Sequence, residues 1–302
     1  MRYGFIGLGH LGGNLAANLL KHGFAVTVSD RERQAAEHLI ADGAAWADTP
    51  KAVAAASDAV ITCLPSPAVT EAVLFGDDGI VEGLERGGAW IEMSTLGRDE
   101  IRAFAERMKQ HGIETLEAPV TGGVHRAAHG DITVLVGGDA ALFERHKPAF
   151  AAMGGEIFHM GPLGSAAVIK VITNMLAFIH LKAAGEALML AKRGGLDLGQ
   201  SFEAIRASSG NSFVHETESQ VILNGSYDIG FTMDLACKDL GFAMQFGREF
   251  GVPLELAGMT AQTFIQAREA YGGAAWSPQI VKLLEEALST DLRADGFPTK
   301  LE

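Results

Sequence analysis

The chain has 302 residues, 48% hydrophobic and 20% charged, enough for two domains or one large α/β domain. A net charge of −13 speaks against a sequence-independent grip on nucleic acid or an anionic membrane. The two cysteines, Cys63 and Cys237, form no CxxC pair or disulfide framework and read as small buried apolar residues, which fits a reducing cytoplasm. In chain order, Phe5-Ile6 is strand-like, so the N-terminus runs into structure rather than a signal peptide. A glycine loop and a helix over Leu15 to His22 follow. Next come a strand at Ala25 to Val28 and a helix over Gln34 to Asp42. Further strands are expected at Ala59 to Leu64, Ala89 to Met93, Glu114 to Ala118 and Ile132 to Val136. Strands alternating with helices in this way imply a parallel doubly wound sheet. From Gly164 onward only helical periodicity remains, broken by glycine-rich turns. Ala166 to Leu181, interrupted by Lys170, Asn174 and His180, reads as a buried helix too short and polar to span a bilayer. The turn Gly161-Pro162-Leu163-Gly164 marks the expected boundary.

Gly7-Leu8-Gly9-His10-Leu11-Gly12 fits G-x-G-x-x-G, directly after a strand and opening a helix. In that context the first glycine makes the turn, the second admits a pyrophosphate to the backbone, and the third lets helix and strand pack closely. The fold expectation is an α/β N-terminal Rossmann-type parallel sheet followed by an all-α C-terminal domain. Residues 1–162 would bind the dinucleotide, and residues 163–302 would form an all-helical substrate and dimerisation domain. The second strand ends at Asp30, 21 residues beyond Gly9, where a carboxylate accepts hydrogen bonds from both ribose hydroxyls. Arg31 and Arg33 offer an alternative hold on a 2′-phosphate. Asp30 repels that phosphate, which favours NAD over NADP.

Several blocks together resemble the β-hydroxyacid dehydrogenase family, which is related to 6-phosphogluconate dehydrogenase. The first runs from Gly4 through Gly12 to Asn18-Leu19, with His10-Leu11 as a variation. The second, Glu117-Ala118-Pro119-Val120-Thr121-Gly122-Gly123 and on to Gly130, is similar to the family's substrate-binding loop. The third, Gly164-Ser165 with Lys170 and Asn174, resembles its catalytic helix, although Ser165 stands where a second glycine is usual. The fourth is Lys238-Asp239-Leu240, whose lysine the family places near the cofactor. Leu64-Pro65 and Ser94-Thr95 match loops set against the nicotinamide half, although the usual proline after Ser-Thr is replaced by Leu96-Gly97-Arg98.

The resemblance implies an NAD(P)-dependent oxidoreductase that interconverts a small β-hydroxyacid and its semialdehyde or keto form. Lys170 would be the general acid/base, with Asn174 one turn further on beside the reacting oxygen or the carboxylate. Burial would draw the lysine pKa toward neutrality, which suits both directions. Gly7, Leu8, Gly9, His10, Leu11, Gly12, Asp30, Arg31, Leu64, Pro65, Thr95 and Lys238 would hold the cofactor. Ser94, Thr121, Gly122, Gly123, His125 and Arg126 would bind the substrate. His125 and Arg126 replace the small residues usual after the glycine pair, which implies a substrate with a second anionic or strongly polar group. The alternative is that both side chains face solvent or Glu117. No metal is expected, because the histidines are scattered. A cytoplasmic homodimer or homotetramer is expected, without nucleic-acid or membrane partners. The rival readings are an imine reductase-like enzyme, which usually lacks the lysine, and a non-catalytic cofactor-binding module. A sugar-acid decarboxylase, which carries a larger C-terminal part, is a weaker third.

Overall fold

The structure is a computed structural model, and it describes residues 1–301. The chain packs as two compact units that divide between Lys170 and Val171. In the first, short apolar runs form the strands because both faces of the sheet are covered. The strands are β1 (Arg2–Ile6), β2 (Ala25–Ser29), β3 (Ala45–Trp46), β4 (Ala59–Thr62), β5 (Ala89–Glu92), β6 (Glu114–Glu117), β7 (Val120–Thr121), β8 (Ile132–Gly138) and β9 (Gly154–Gly161). Alternate residues serve opposite faces. Tyr3, Phe5, Ala59, Ile61, Ala89 and Ile91 join one core, whereas Ile6, Val60 and Trp90 join the other.

The sheet order is β3-β2-β1-β4-β5-β6-β8-β7, with β9 paired to β8. The order 3-2-1-4-5-6 is parallel and places a switch point between β1 and β4, where ligands bind at the carboxyl ends of strands. The expected parallel sheet needs one correction: β8 is antiparallel to both β6 and β7. Three strands also escaped the sequence pattern. β3 and β7 have two residues each, and β9 is largely exposed, so none carries a buried alternation. The helix expected over Gln34 to Asp42 is instead a 3-10 turn, Arg33–Ala36, followed by α2 (Glu37–Ala41).

The helices that flank the sheet bury one stripe each. In α1 (Gly12–Lys21), Leu15 and Leu19 are fully buried, contributing roughly 1.5–3 kcal/mol apiece. The first unit continues with α3 (Pro50–Ala55), α4 (Pro67–Phe75), α5 (Arg98–Gln110), α6 (Val124–His129) and α7 (Ala140–Met153). In α5, Ile101, Phe104, Ala105 and Met108 face the core at helical spacing. Acids in its first turn and bases in its last complement the helix dipole.

The unit boundary falls inside α8 (Ser165–Arg193), a 29-residue helix. The helix is longer than the sequence reading allowed, and by length and composition it is long and apolar enough to cross a bilayer. The second unit continues with α9 (Leu198–Arg206), α10 (Phe213–Asn224), α11 (Met233–Phe250), α12 (Glu255–Tyr271) and α13 (Lys282–Leu288). Asp197, Ser212 and Thr232 cap the first three by accepting backbone N–H groups. Phe178, Leu188, Ile222, Leu240 and Phe264 lie at the centre of its core.

Candidate active site

The glycine loop separates three demands. Gly7 has φ +96, and a side chain there would meet the Cys63 carbonyl at 2.3 Å. A methyl group at Gly12 would lie 2.0 Å from the Gly7 carbonyl oxygen, so helix and turn touch through bare backbone. At Gly9 the corresponding position faces open space, which leaves the backbone approachable by a bound phosphate. The first turn of α1 follows with no side-chain cap on its N–H groups, the arrangement that suits an anion. This cradle fits a dinucleotide pyrophosphate. Leu8 is buried, while Gly9 and His10 are exposed.

Asp30, just past β2, is fixed beside this loop. Its Oδ2 accepts the Leu8 N–H at 2.7 Å and its Oδ1 accepts the Glu32 N–H at 2.9 Å. Arg31 is exposed, whereas the Arg33 guanidinium sits 5.1 Å over the Trp46 ring. Both arginines are exposed, and Arg33 is the one engaged by a ring.

Beyond β4 and β5, two expected residues meet directly: Leu64 N–H donates to Ser94 Oγ at 2.7 Å. A residue the sequence reading missed organises them. Glu92, 1% exposed, accepts the Ser94 N–H at 2.6 Å and the Thr62 hydroxyl at 3.0 Å. Thr62 in turn accepts the Trp90 indole N–H at 2.8 Å. An acid ending an otherwise apolar strand was the available signal. Burial pushes the Glu92 pKa up to about 7 from 4.5, against the opposing pull of the Ser94 and Thr62 donors. Pro65 is exposed and Thr95 half-buried next to this pair.

The sign of this shift gives a test. A carboxyl that holds its proton more tightly when folded stabilises the fold below pH 4.5, and that stability is lost as pH rises through about 7. Glu92→Gln is expected to flatten the decline in unfolding free energy between pH 4.5 and 7, followed by denaturant titration. An unchanged slope in the variant would assign the decline elsewhere.

Glu117, at the end of β6, is the second missed acid. Its carboxylate accepts N–H groups of Gly164 at 2.6 Å, Ala166 at 2.9 Å and Ala167 at 3.0 Å, capping α8 from a distant strand. Burial raises its pKa, while those three donors and the Arg102 charge hold it down. One turn into the capped helix stands Lys170, 8% exposed. Burial and Glu92 drive the Cys63 thiol up to about 12, and the Lys170 charge partly offsets them. Lys170, Cys63 and Glu92 therefore share one neighbourhood beside the glycine loop. Cys63 and Cys237, read from the sequence as small buried residues, are both half-buried and free.

Thr121 pairs with Thr133 across β7 and β8, so it sits in a strand rather than a plain loop. Gly122 and Gly123 follow with φ +126 and +92. His125 and Arg126 lie on α6, not in a loop. Arg126 does not reach Glu117; its Nε and Nη2 donate to Asp131 Oδ2 at 3.1 and 2.8 Å. In the second unit, Asp239 gathers two expected residues. It accepts the Asn174 amide at 2.6 Å and the Lys238 ammonium at 2.8 Å, and is itself 2% exposed. Lys170 and Asn174 stand one helical turn apart on α8.

Comparison with known proteins agrees with this geometry. Residues 2–161 match the family described as the NAD binding domain of 6-phosphogluconate dehydrogenase. Residues 164–284 match that described as NAD-binding of NADP-dependent 3-hydroxyisobutyrate dehydrogenase. The chain is 33% identical over 287 residues to 2-(hydroxymethyl)glutarate dehydrogenase of Eubacterium barkeri, covering 95% of each. It is 36% identical over 248 residues to NAD-dependent L-serine dehydrogenase of Pseudomonas aeruginosa, covering 80% of this chain and 83% of the relative. A crystal structure of 3-hydroxyisobutyrate dehydrogenase from Salmonella typhimurium superposes with a TM-score of 0.88 at 29% identity, covering 94% of this chain and 99% of that one.

Proposed function

Because this chain belongs to the β-hydroxyacid dehydrogenase family, we propose that it oxidises a small β-hydroxyacid to its semialdehyde, or runs the reverse, with Lys170 as general acid/base. It is an NAD(P)-dependent dehydrogenase. The observation that carries the finer reading is Lys170 itself: a buried lysine on a helix whose start is capped by Glu117, beside the dinucleotide loop. The named substrates of two relatives, 2-(hydroxymethyl)glutarate and L-serine, share a primary alcohol on the carbon next to the one bearing the carboxylate. That shared fragment defines the substrate class.

When bound, the nicotinamide supplies or takes the hydride. Oxidation then requires the protein to remove the hydroxyl proton. Lys170 Nζ, neutral, accepts it; in reduction the ammonium returns a proton to the developing alkoxide. Asn174, whose amide donates to Asp239 and is held by it, takes the position beside the reacting oxygen or the carboxylate. Thr121, Gly122 and Gly123 hold the carboxylate, Ser94 helps close the site, and Leu64, Pro65, Thr95 and Lys238 line the cofactor. Residues 1–162 carry the dinucleotide; residues 163–302 supply the helical substrate and dimerisation part. Exposed Leu190, Leu256, Met259 and Ile265 support assembly into a homodimer or homotetramer, in the cytoplasm.

NAD is the preferred cofactor in this proposal, because the Asp30 carboxylate beside the loop repels a 2′-phosphate. Asp30→Ser is expected to raise KM for NAD about tenfold and to lower KM for NADP, with Arg31 as the phosphate partner. Initial rates with both cofactors check this; a wild type that already prefers NADP contradicts it. The function itself is tested by following nicotinamide absorbance with a panel of hydroxyacids and amines. Turnover of hydroxyacids alone is expected, whereas turnover of amines alone would make the protein an imine reductase.

A further inference from the structure

His125 and Arg126 fold back over the glycine pair that precedes them. A methyl group at Gly123 would lie 2.9 Å from His125 Cε1, and one at Gly122 would lie 3.2 Å from Arg126 Cδ and 3.6 Å from its Nη1. Both side chains therefore cover the loop, and both glycines have left-handed φ values. The guanidinium is oriented as well as near. Asp131 engages Nε and Nη2 on one edge, so the remaining nitrogen, Nη1, is the one on the loop side. A planar fork held on one edge presents its other nitrogen with little further loss of freedom.

The local charge also departs from that of the chain. In a protein of net charge −13, the segment from Val124 to Gly130 carries His125, Arg126 and His129, with Asp131 as the following acid. The groups that face His125 electrostatically are Arg126 and His129; after burial, both lower its pKa. An arriving anion acts in the opposite sense. A half-exposed Arg–Asp pair of this kind, with side chains 29% and 60% exposed, adds about 0–1 kcal/mol to stability, so fold stability accounts for little of the arrangement.

We propose that Arg126, oriented by Asp131 and flanked by His125, forms a distal anion subsite on the glycine loop that takes the second acidic group of a doubly anionic β-hydroxyacid. This inference rests on the proposed hydroxyacid activity for its reaction, but the subsite is defined by binding alone. A carboxylate, sulfonate or phosphonate shares the required chemistry, with planar or tetrahedral oxygens accepting from Nη1 and the imidazole.

The test uses glutarate as the dianionic probe and butyrate as its monoanionic counterpart, titrated calorimetrically into the NAD-loaded protein. The wild type is expected to bind glutarate about tenfold more tightly than butyrate. Arg126→Ala should remove the difference, and Arg126→Lys should restore part of it. Asp131→Asn separates a binding role from a merely structural ion pair. It should keep or increase the preference for glutarate, because the amide oxygen still accepts from the Arg126 edge while the competing charge is gone. Equal binding of the two acids by the wild type overturns the subsite. So does an unchanged ratio in Arg126→Ala, or loss of the ratio in Asp131→Asn with the fold intact. Turnover of 3-hydroxyisobutyrate and of the dianionic 2-(hydroxymethyl)glutarate is measured alongside. Absence of both with the glutarate preference intact overturns the proposed activity and leaves the subsite standing.

Discussion

Lys170→Ala is expected to lower kcat by about 10²–10⁴, the range lost with general acid–base help, while NAD affinity stays nearly unchanged. A lysine 8% exposed in a helix that is otherwise apolar around it is not held there by solvation. Its charge reaches Cys63 at the end of β4, next to the Gly7 turn, where the proposed function sets the substrate against the dinucleotide. In the proposed function the glycine loop and Asp30 hold the cofactor, and the substitution leaves them alone. Steady-state rates and NAD binding measured on the same preparation check both halves. A variant that keeps more than about a tenth of wild-type kcat removes Lys170 from the proton-transfer role.

Glu117→Ala is expected to destabilise the first unit by about 3 kcal/mol. Three buried N–H groups at the start of α8 lose a charged acceptor at once. A methyl group at Gly137 would lie 2.2 Å from Glu117 Oε1, so the carboxylate is packed from behind and a smaller side chain leaves a void as well. Denaturant unfolding at neutral pH reads the change. Loss of less than about 1 kcal/mol would mean the helix start is capped by other means.

The alternation of strands with helices was legible because both faces of the sheet are buried, which turns β1, β4 and β5 into continuous apolar runs. The glycine spacing was legible for a steric reason now visible at Gly7 and Gly12. What stayed hidden lacked a local signature. β9 is a largely exposed strand with glycines at both ends, and the antiparallel pairing of β8 depends on partners far along the chain. Among the proposed site residues, Lys170 and Asn174 were legible as one face of a helix, and both lie on α8. Glu92 and Glu117 were not, because their meaning lies in backbone groups that folding brings to them. The contact of Arg126 with Asp131 was likewise missed, five residues away but across the end of α6. An acid that closes an apolar strand is the sequence signal worth weighing.

In the proposed function hydride passes between the carbinol carbon of a β-hydroxyacid and a nicotinamide. That transfer is tested most directly with 3-hydroxyisobutyrate deuterated at the carbinol carbon, incubated with NAD and wild-type protein, with mass spectrometry of the reduced cofactor. One deuterium is expected in the recovered nicotinamide, formed together with the semialdehyde. Semialdehyde formed with an unlabelled reduced cofactor, or reduction of NAD that requires an amine and ignores every hydroxyacid, would contradict it.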